Sequence, residues 1–296
     1  MGEAKRRRQG QATRQPFTRV DEKLRRLGVD VSALGYYDQP AFLALERIDP
    51  LALELYSTWV INRPRDSDYD NHARQTIPRL AAIVEHRLAS EKGLGACVNV
   101  ATMMARMLDR LGVWSFAVRG SLTLEIPSCP SVGSRHFPEC DLRRHEDDVT
   151  GHGWLVAPPF LVVDSTLKHQ QWIDLHPVIA ELLPKVVAIE DGAIIQPRWD
   201  DVVSDSLIEQ YHVPRAELKA GLAYRFQQNL SRIEKSLPGR DIRIGALSLR
   251  YIAGVVTVSE APLEQIPPVS PISSRLKPID IWNEDVAPAF RAGITA

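Results

Sequence analysis

Residues 91–120 read EKGLGACVNVATMMARMLDRLGVWSFAVRG, and the rest of the chain is organised around this stretch. Behind Cys97, apolar residues recur at the spacing of one helix face: Val100, Met104, Met107, Leu108 and Leu111. Gly112 stands where a glycine commonly ends a helix. The apolar run 113–119 then indicates a buried strand. The stretch therefore predicts a helix that begins near Cys97 and leads directly into a sheet.

The predicted start of this helix would give Cys97 a reactive environment. Backbone N–H groups of a first helical turn have no partner inside the helix, and together with the helix dipole they stabilise a thiolate. The same groups could hold an oxyanion. Gly95 would let the backbone approach a substrate closely, so it is a candidate substrate-binding residue. A buried structural cysteine is the alternative, since that is the more frequent fate of a lone cysteine.

A second stretch, residues 152–166, contains the partners that a nucleophilic thiol needs. It reads HGWLVAPPFLVVDST, in which two short apolar runs flank a pair of prolines, and this pattern predicts a β-hairpin. His152 begins the first strand and Asp164 ends the second. A cysteine on a helix, with a histidine and an acid on adjacent strands, is a nucleophile with its base and its orienting group. Trp154 could bound such a site or could equally be core.

The hairpin sets a geometric condition on this triad. With the two prolines as the whole loop of a regular ladder, Gly153 would face Asp164, and His152 would point to the other side, because a one-residue shift exchanges the faces. The triad therefore requires an odd-length loop, or a bulge with the same effect. In that register we predict that His152 pairs with Asp164 and Trp154 with Val162.

Several short motifs follow one another in a specific order: Gly95-x-Cys97-x-x-x-Ala101, a helix ending in Arg110-Leu111-Gly112, a strand closing on Gly120, His152-x-Trp154 and Asp164-x-Thr166. In this order they resemble the transglutaminase-like superfamily. That superfamily includes cysteine peptidases, protein-glutamine acyl transferases and relatives of the arylamine N-acetyltransferases. The resemblance covers residues 75–170. It implies an α+β fold with a transglutaminase-like core, in which the cysteine-bearing helix packs on an antiparallel sheet between a helical N-terminal part and a mixed α/β C-terminal part.

The resemblance also implies a cysteine-dependent acyl-transfer enzyme with Cys97, His152 and Asp164 as catalytic residues and a thioester intermediate. Water as acceptor would give amide hydrolysis and an amine would give transamidation, and the sequence does not choose between them. The N-acetyltransferase version fits less well, because the Arg-Gly-Gly lead-in to its cysteine is absent. A narrower relative, the maturation peptidases of bacterial peptide biosynthesis, is a possible subtype. The alternative from another class is an inactive fold that acts as a protein-binding module.

The segment between Gly120 and His152 departs from the family pattern, because it is long and polar. Alternating apolar residues predict a strand at 121–126, and four potential zinc ligands follow: Cys129, His136, Cys140 and His145. Their spacing matches no familiar zinc module, so we predict a polar loop and no metal. A zinc site, or a lid beside the active site, are the alternatives.

The remaining patterns divide the chain into four parts. Residues 1–19 are predicted to be a disordered basic tail, 20–170 the core with its helical lead-in, 171–261 an α/β extension and 262–296 a proline-rich tail. Within the extension, Asp191-Gly192 between two apolar runs indicates a two-residue hairpin, and 215–237 carries the longest helical pattern. In the tail, we expect residues 279–290 to dock back on the core through Trp282.

Composition restricts the partners and the compartment. The 36 basic and 37 acidic residues leave a formal net charge of −1, so we expect no nucleic-acid partner. Three cysteines are too few for a disulfide scaffold, which is typical of a reducing compartment. We find neither a secretory signal nor a run of membrane-spanning length and predict a cytoplasmic protein with no cofactor. Its expected partner is a protein or peptide substrate, or a small amide.

Overall fold

The structure is a computed structural model, and it describes residues 17–91, 96–132, 134–138, 151–170, 172, 177–204, 208–209, 212, 229–269 and 276–292. In these ranges helices pack on both faces of one antiparallel sheet, so the predicted α+β class is confirmed. No helix in the described part of the chain is both long and apolar enough to cross a bilayer.

Four α-helices precede the cysteine among the described residues, where the sequence predicts a helical lead-in. They are α1 at 17–26, α2 at Pro40–Glu46, α3 at Ala52–Asn62 and α4 at Ser67–Glu91. Helices α2 and α3 share one core with one face of the sheet, and α4 belongs to the core on the other face. Both faces of the sheet are therefore covered before the cysteine helix begins.

Helix α5, Cys97–Arg110, is the helix predicted behind Cys97. Gly112 follows it with φ at 81°, the left-handed conformation that commonly ends a helix at a glycine. Strand β1, Phe116–Glu125, then runs through Gly120, so the prediction of two strands divided there is wrong. A Cβ at Gly120 would lie 2.0 Å from the carbonyl oxygen of Ile252. This glycine therefore lets the neighbouring strand approach at a register shift and does not end β1.

The other strands complete an eight-stranded sheet: β2 Arg135–Phe137, β3 His152–Ala157, β4 Phe160–Asp164, β5 Val187–Ile189, β6 Ala193–Ile195, β7 Gly239–Ile244 and β8 Leu247–Thr257. Their order is β5-β4-β3-β1-β8-β7-β6, with β2 paired to β1 outside this path. Helix α5 shares its core with β1, β3 and β4.

The predicted hairpin at Asp191-Gly192 is wrong. Strand β5 pairs with β4 and β6 pairs with β7, at opposite ends of the strand order. Only three residues join β5 to β6, so the two ends of the sheet lie at most about 14 Å apart along an extended chain. The sheet is therefore curled into a half-barrel, and the turn residues link its two margins.

Short helices complete the described chain. They are α6 Pro177–Leu182, α7 Trp199–Val202, α8 Leu230–Ile233, α9 Pro278–Ile281 and α10 Ala287–Ala292, with a π-helical turn at Trp282–Val286. The predicted docking of 279–290 is confirmed, because the guanidinium of Arg110 lies over the ring of Trp282 at 5.2 Å. Most of the helix predicted at 215–237 lies outside the described residues, as do residues 1–16 of the tail predicted at 1–19. Residues 17–19 of that predicted tail are helical and belong to α1.

Candidate active site

Cys97 is the first residue of α5, so its thiol lies at the N-terminus of the helix. The thiol is free, and the residue is 8% exposed. This end of the helix packs closely against the backbone of β3. There is no room for a side chain at Gly153, since a Cβ there would lie 2.8 Å from the backbone nitrogen of Val98. The glycine beside His152 thus sets the distance between the cysteine helix and the histidine strand.

His152 and Asp164 form a buried ion pair. The imidazole Nε2 lies 2.7 Å from Asp164 Oδ2, and both side chains are completely buried. Three more donors surround the carboxylate: the backbone N–H and the hydroxyl of Thr166, each 2.8 Å from Oδ1, and the Tyr251 hydroxyl, 3.0 Å from Oδ2. The carboxylate therefore accepts four hydrogen bonds and is held in one orientation.

The electrostatics of this pair favour the charged form of both partners. Burial alone would raise the pKa of Asp164, but the charge and hydrogen bond of His152, and then the donors of Thr166, hold that pKa below its usual range. Burial would also lower the pKa of His152. Asp164 and then Cys97 outweigh it and raise that pKa to about 10. At neutral pH the site therefore contains an imidazolium against a carboxylate.

The second ring nitrogen of His152, Nδ1, is not bonded to Asp164 and is available to interact with Cys97. Nδ1 is buried and has no full hydrogen bond among the described residues. Cys97 nevertheless contributes to the raised pKa of the imidazole, so the thiol interacts with the ring. Because Nε2 is engaged by Asp164, Nδ1 is the nitrogen that is free to exchange a proton with the thiol.

A bulge in the hairpin brings the two side chains to the same face. Ala157 pairs with Phe160, so the two prolines alone form the loop, and the register shifts before Leu155 pairs with Val163. The sequence required either an odd-length loop or a bulge for His152 and Asp164 to share a face, and the structure has the bulge.

The predicted residue pairs are nevertheless wrong. Continuing the Leu155–Val163 pair by one residue sets Trp154, and not His152, across from Asp164. With the bulge, the register differs by two residues from the predicted one. His152 and Asp164 therefore stay on the same face of the sheet, but Asp164 lies opposite a different residue. His152 therefore reaches Asp164 diagonally across the two strands.

The two predicted substrate-binding residues differ in what the structure shows. Trp154 is 3% exposed, and its ring lies nearly parallel to that of His152, with centroids 6.4 Å apart and an interplanar angle of 20°. It forms a wall beside the imidazole. Gly95 lies outside the described residues.

Tyr251 is the residue of this site that sequence reasoning missed. It lies on β8, 87 positions after Asp164, and its hydroxyl reaches the carboxylate only because β8 and β3 both pair with β1. Its strand alternates in the usual way, so no local signal distinguishes it from a core tyrosine. Thr166 was visible as part of the Asp164-x-Thr166 motif, and its two donors to the preceding aspartate form a familiar local turn.

No family model, curated protein or solved structure matches this chain. The transglutaminase-like resemblance therefore stays a prediction from motifs and spacing.

The alternative of a zinc site receives no support within the described ranges. No group of three or more His, Cys, Asp and Glu side chains there could hold a metal. Cys129 is a free thiol, 3.4 Å from the hydroxyl of Ser131. Cys140 and His145 lie outside the described residues, as does most of the predicted polar loop.

Proposed function

We propose that this protein is a cysteine-dependent acyl-transfer enzyme with a transglutaminase-like core. Cys97 is the nucleophile, His152 the acid and base, and Asp164 the orienting group. The observation that carries the proposal is the buried 2.7 Å contact between His152 and Asp164 beside a cysteine at a helix N-terminus. Three residue types that acyl transfer requires thus meet at one place on the sheet.

The chemistry follows from this arrangement. The Cys97 thiolate attacks an amide carbonyl, and unpaired N–H groups in the first turn of α5 face the developing oxyanion. The tetrahedral intermediate collapses when His152 donates its Nδ1 proton to the leaving amine, which breaks the C–N bond and leaves a thioester. His152 then removes a proton from water or from an acceptor amine, which attacks the thioester and releases the thiol. Throughout, Asp164 accepts the Nε2–H and keeps the ring in position.

The acceptor decides between amide hydrolysis and transamidation, and the substrate is a protein, a peptide or a small amide. A glutamine-containing peptide library incubated with and without a primary amine separates these outcomes. A mass gain equal to amine minus ammonia identifies transamidation. Cleavage or deamidation without amine incorporation identifies hydrolysis.

Burial of the site favours one other function. His152 is fully buried and Cys97 is 8% exposed, as in a structural cluster of a protein-binding module. The two functions differ in the reactivity of the thiol, because a catalytic cysteine is present as thiolate. We expect iodoacetamide to modify Cys97 in the folded protein at pH 6 faster than Cys129, as read by peptide mass spectrometry.

Two variants make this experiment decisive. His152→Ala should slow modification of Cys97 and leave that of Cys129 unchanged. Cys97→Ala should keep the fold, as judged by circular dichroism, and lose any acyl-transfer activity. If Cys97 reacts no faster than Cys129, and the His152 substitution changes neither rate, the proposed enzyme function is wrong and the protein-binding module is favoured.

A further inference from the structure

One face of the sheet lines a partly open cavity of about 200 Å³. Its deep wall consists of buried, mainly apolar side chains from four strands: Val118, Trp154, Val156, Val162, Tyr251 and Ala253. An apolar cavity of about 150 Å³ is large enough to hold benzene. The interior therefore has room for an aromatic ring or a short acyl chain.

The cavity is separate from the reacting thiol. Neither Cys97 nor His152 belongs to its described lining, and Trp154 and Tyr251 stand between the cavity and the His152–Asp164 pair. Its other end is formed by the two-proline turn and by residues 236–238. The cavity thus lies behind the candidate active site and opens towards the far end of β3.

A guanidinium that forms no ion pair with any described residue lies on the lining of this cavity. Arg240 is half-buried, and it donates one hydrogen bond, from Nη1 to the carbonyl oxygen of Gly192 at 3.1 Å. Burial lowers its pKa, and the charge of nearby Asp191 offsets this only in part. No described carboxylate lies within 4.0 Å of the guanidinium, the distance of an ion pair. By contrast, Arg65 on the same lining is paired with Asp70 at 2.7 Å.

The apolar wall and the half-buried guanidinium of Arg240 together indicate which kind of ligand would fit. A half-buried cation is unfavourable when it is not compensated, and a planar guanidinium fits a carboxylate through two parallel hydrogen bonds. Within the described lining Arg240 is the one cation that forms no ion pair, so a ligand with one negative charge is favoured. The apolar wall excludes a second polar end.

We propose that this cavity is a binding site for a small apolar monocarboxylate, with its tail against Trp154 and Tyr251 and its carboxylate on Arg240. The site does not depend on the proposed acyl-transfer function, because no atom of Cys97 takes part in it. A ligand would nevertheless contact the back of the candidate active site, since the Tyr251 hydroxyl donates to Asp164.

The test is isothermal titration of the full chain with 3-phenylpropionate and with its neutral amide. We expect saturable one-to-one binding of the acid and affinity for the amide weaker by about tenfold or more. Arg240→Gln should lower the affinity for the acid by a similar factor. Arg243→Gln is the matched control, because Arg243 lies on the same strand but is exposed and does not line the cavity.

Two further variants keep the test decisive. Val156→Phe should fill the cavity and abolish binding while circular dichroism shows a folded protein. Cys97→Ala should bind with unchanged affinity, which separates this site from the acyl-transfer function. The proposal is overturned if the acid shows no saturable binding, if acid and amide bind equally, or if the two arginine variants lose affinity equally.

Discussion

His152 Nε2 and Asp164 Oδ2 lie 2.7 Å apart although the two residues start and end a hairpin and do not pair across it. The bulge between Leu155 and Ala157 turns both side chains to one face, and the tight approach of α5 at Gly153 places Cys97 beside them. The candidate site therefore depends on a local irregularity and on one glycine. These features lead to four predictions.

The first prediction concerns the carboxylate of Asp164, the proposed orienting group. Asp164→Asn removes the negative charge that raises the pKa of His152, so the imidazolium should be less favoured. We expect the rate of Cys97 alkylation at pH 6 to fall by at least about tenfold. Asp191→Asn, at an exposed position in the turn between β5 and β6, is the matched control and should leave the rate unchanged. An unchanged rate in Asp164→Asn would remove Asp164 from the proposed triad.

The second prediction concerns stability against pH. The folded-state pKa of His152, about 10, lies above its ordinary value of 6.5, so the stability that its protonation contributes is fully present below pH 6.5 and is lost as pH rises towards 10. His152→Gln should therefore be less stable than the wild type at pH 6, and the difference should shrink by pH 10. Urea unfolding of both proteins at several pH values measures it.

The other titratable groups near the His152 ring either titrate outside the range from pH 6 to 10 or are present in both the wild type and His152→Gln. The lowered pKa of Asp164 affects stability only as pH falls through its folded value, and Tyr251 titrates well above its ordinary value. Subtracting the His152→Gln curve from that of the wild type therefore isolates the imidazole and its coupling to Cys97 and Asp164. A difference that stays constant from pH 6 to 10 would contradict the raised pKa.

The third prediction concerns the approach of α5 to β3. Gly153→Ala places a Cβ 2.8 Å from the backbone of Val98, so the helix must shift. We expect a loss of about 1–3 kcal/mol in the free energy of unfolding and slower alkylation of Cys97, because its distance to His152 changes. Gly245→Ala is the control. It is strained, with φ at 58°, but its Cβ meets nothing within 4 Å, so it should lose stability without changing the alkylation rate.

The fourth prediction concerns the hydroxyl that sequence reasoning missed. Tyr251→Phe removes a donor to the Asp164 carboxylate and leaves the ring, so it should lower the free energy of unfolding by about 1–3 kcal/mol. Tyr36→Phe is the control, because the buried Tyr36 hydroxyl has no hydrogen-bond partner in the described structure. Its removal should be neutral or stabilising. Equal effects of the two substitutions would show that the Tyr251–Asp164 hydrogen bond contributes nothing.

The sequence predicted the local elements of the site well. Helical spacing behind Cys97 and the glycine at 112 correspond to α5 and its end, and the hairpin with His152 and Asp164 at its two ends is present. These predictions succeed because helix periodicity, capping and hairpin alternation arise from contacts between residues that are close in the chain. The requirement that His152 and Asp164 share a face likewise follows from strand geometry alone.

Tertiary packing decided the rest. From the sequence, Gly120 was predicted to end a strand and Asp191-Gly192 to form a hairpin turn. In the structure, Gly120 lets the backbone of β8 approach β1, and Asp191-Gly192 connects the two edges of a curled sheet. Tyr251 joined the site from a strand that is distant in sequence. The alternating pattern of a strand predicts which of its residues face the core, but it does not predict which other strand pairs with that strand. The chain itself therefore determined the Cys97 helix and the hairpin. Strand order and curvature depend on backbone pairing between distant segments, and they determined the position of Tyr251 and the cavity behind the candidate site.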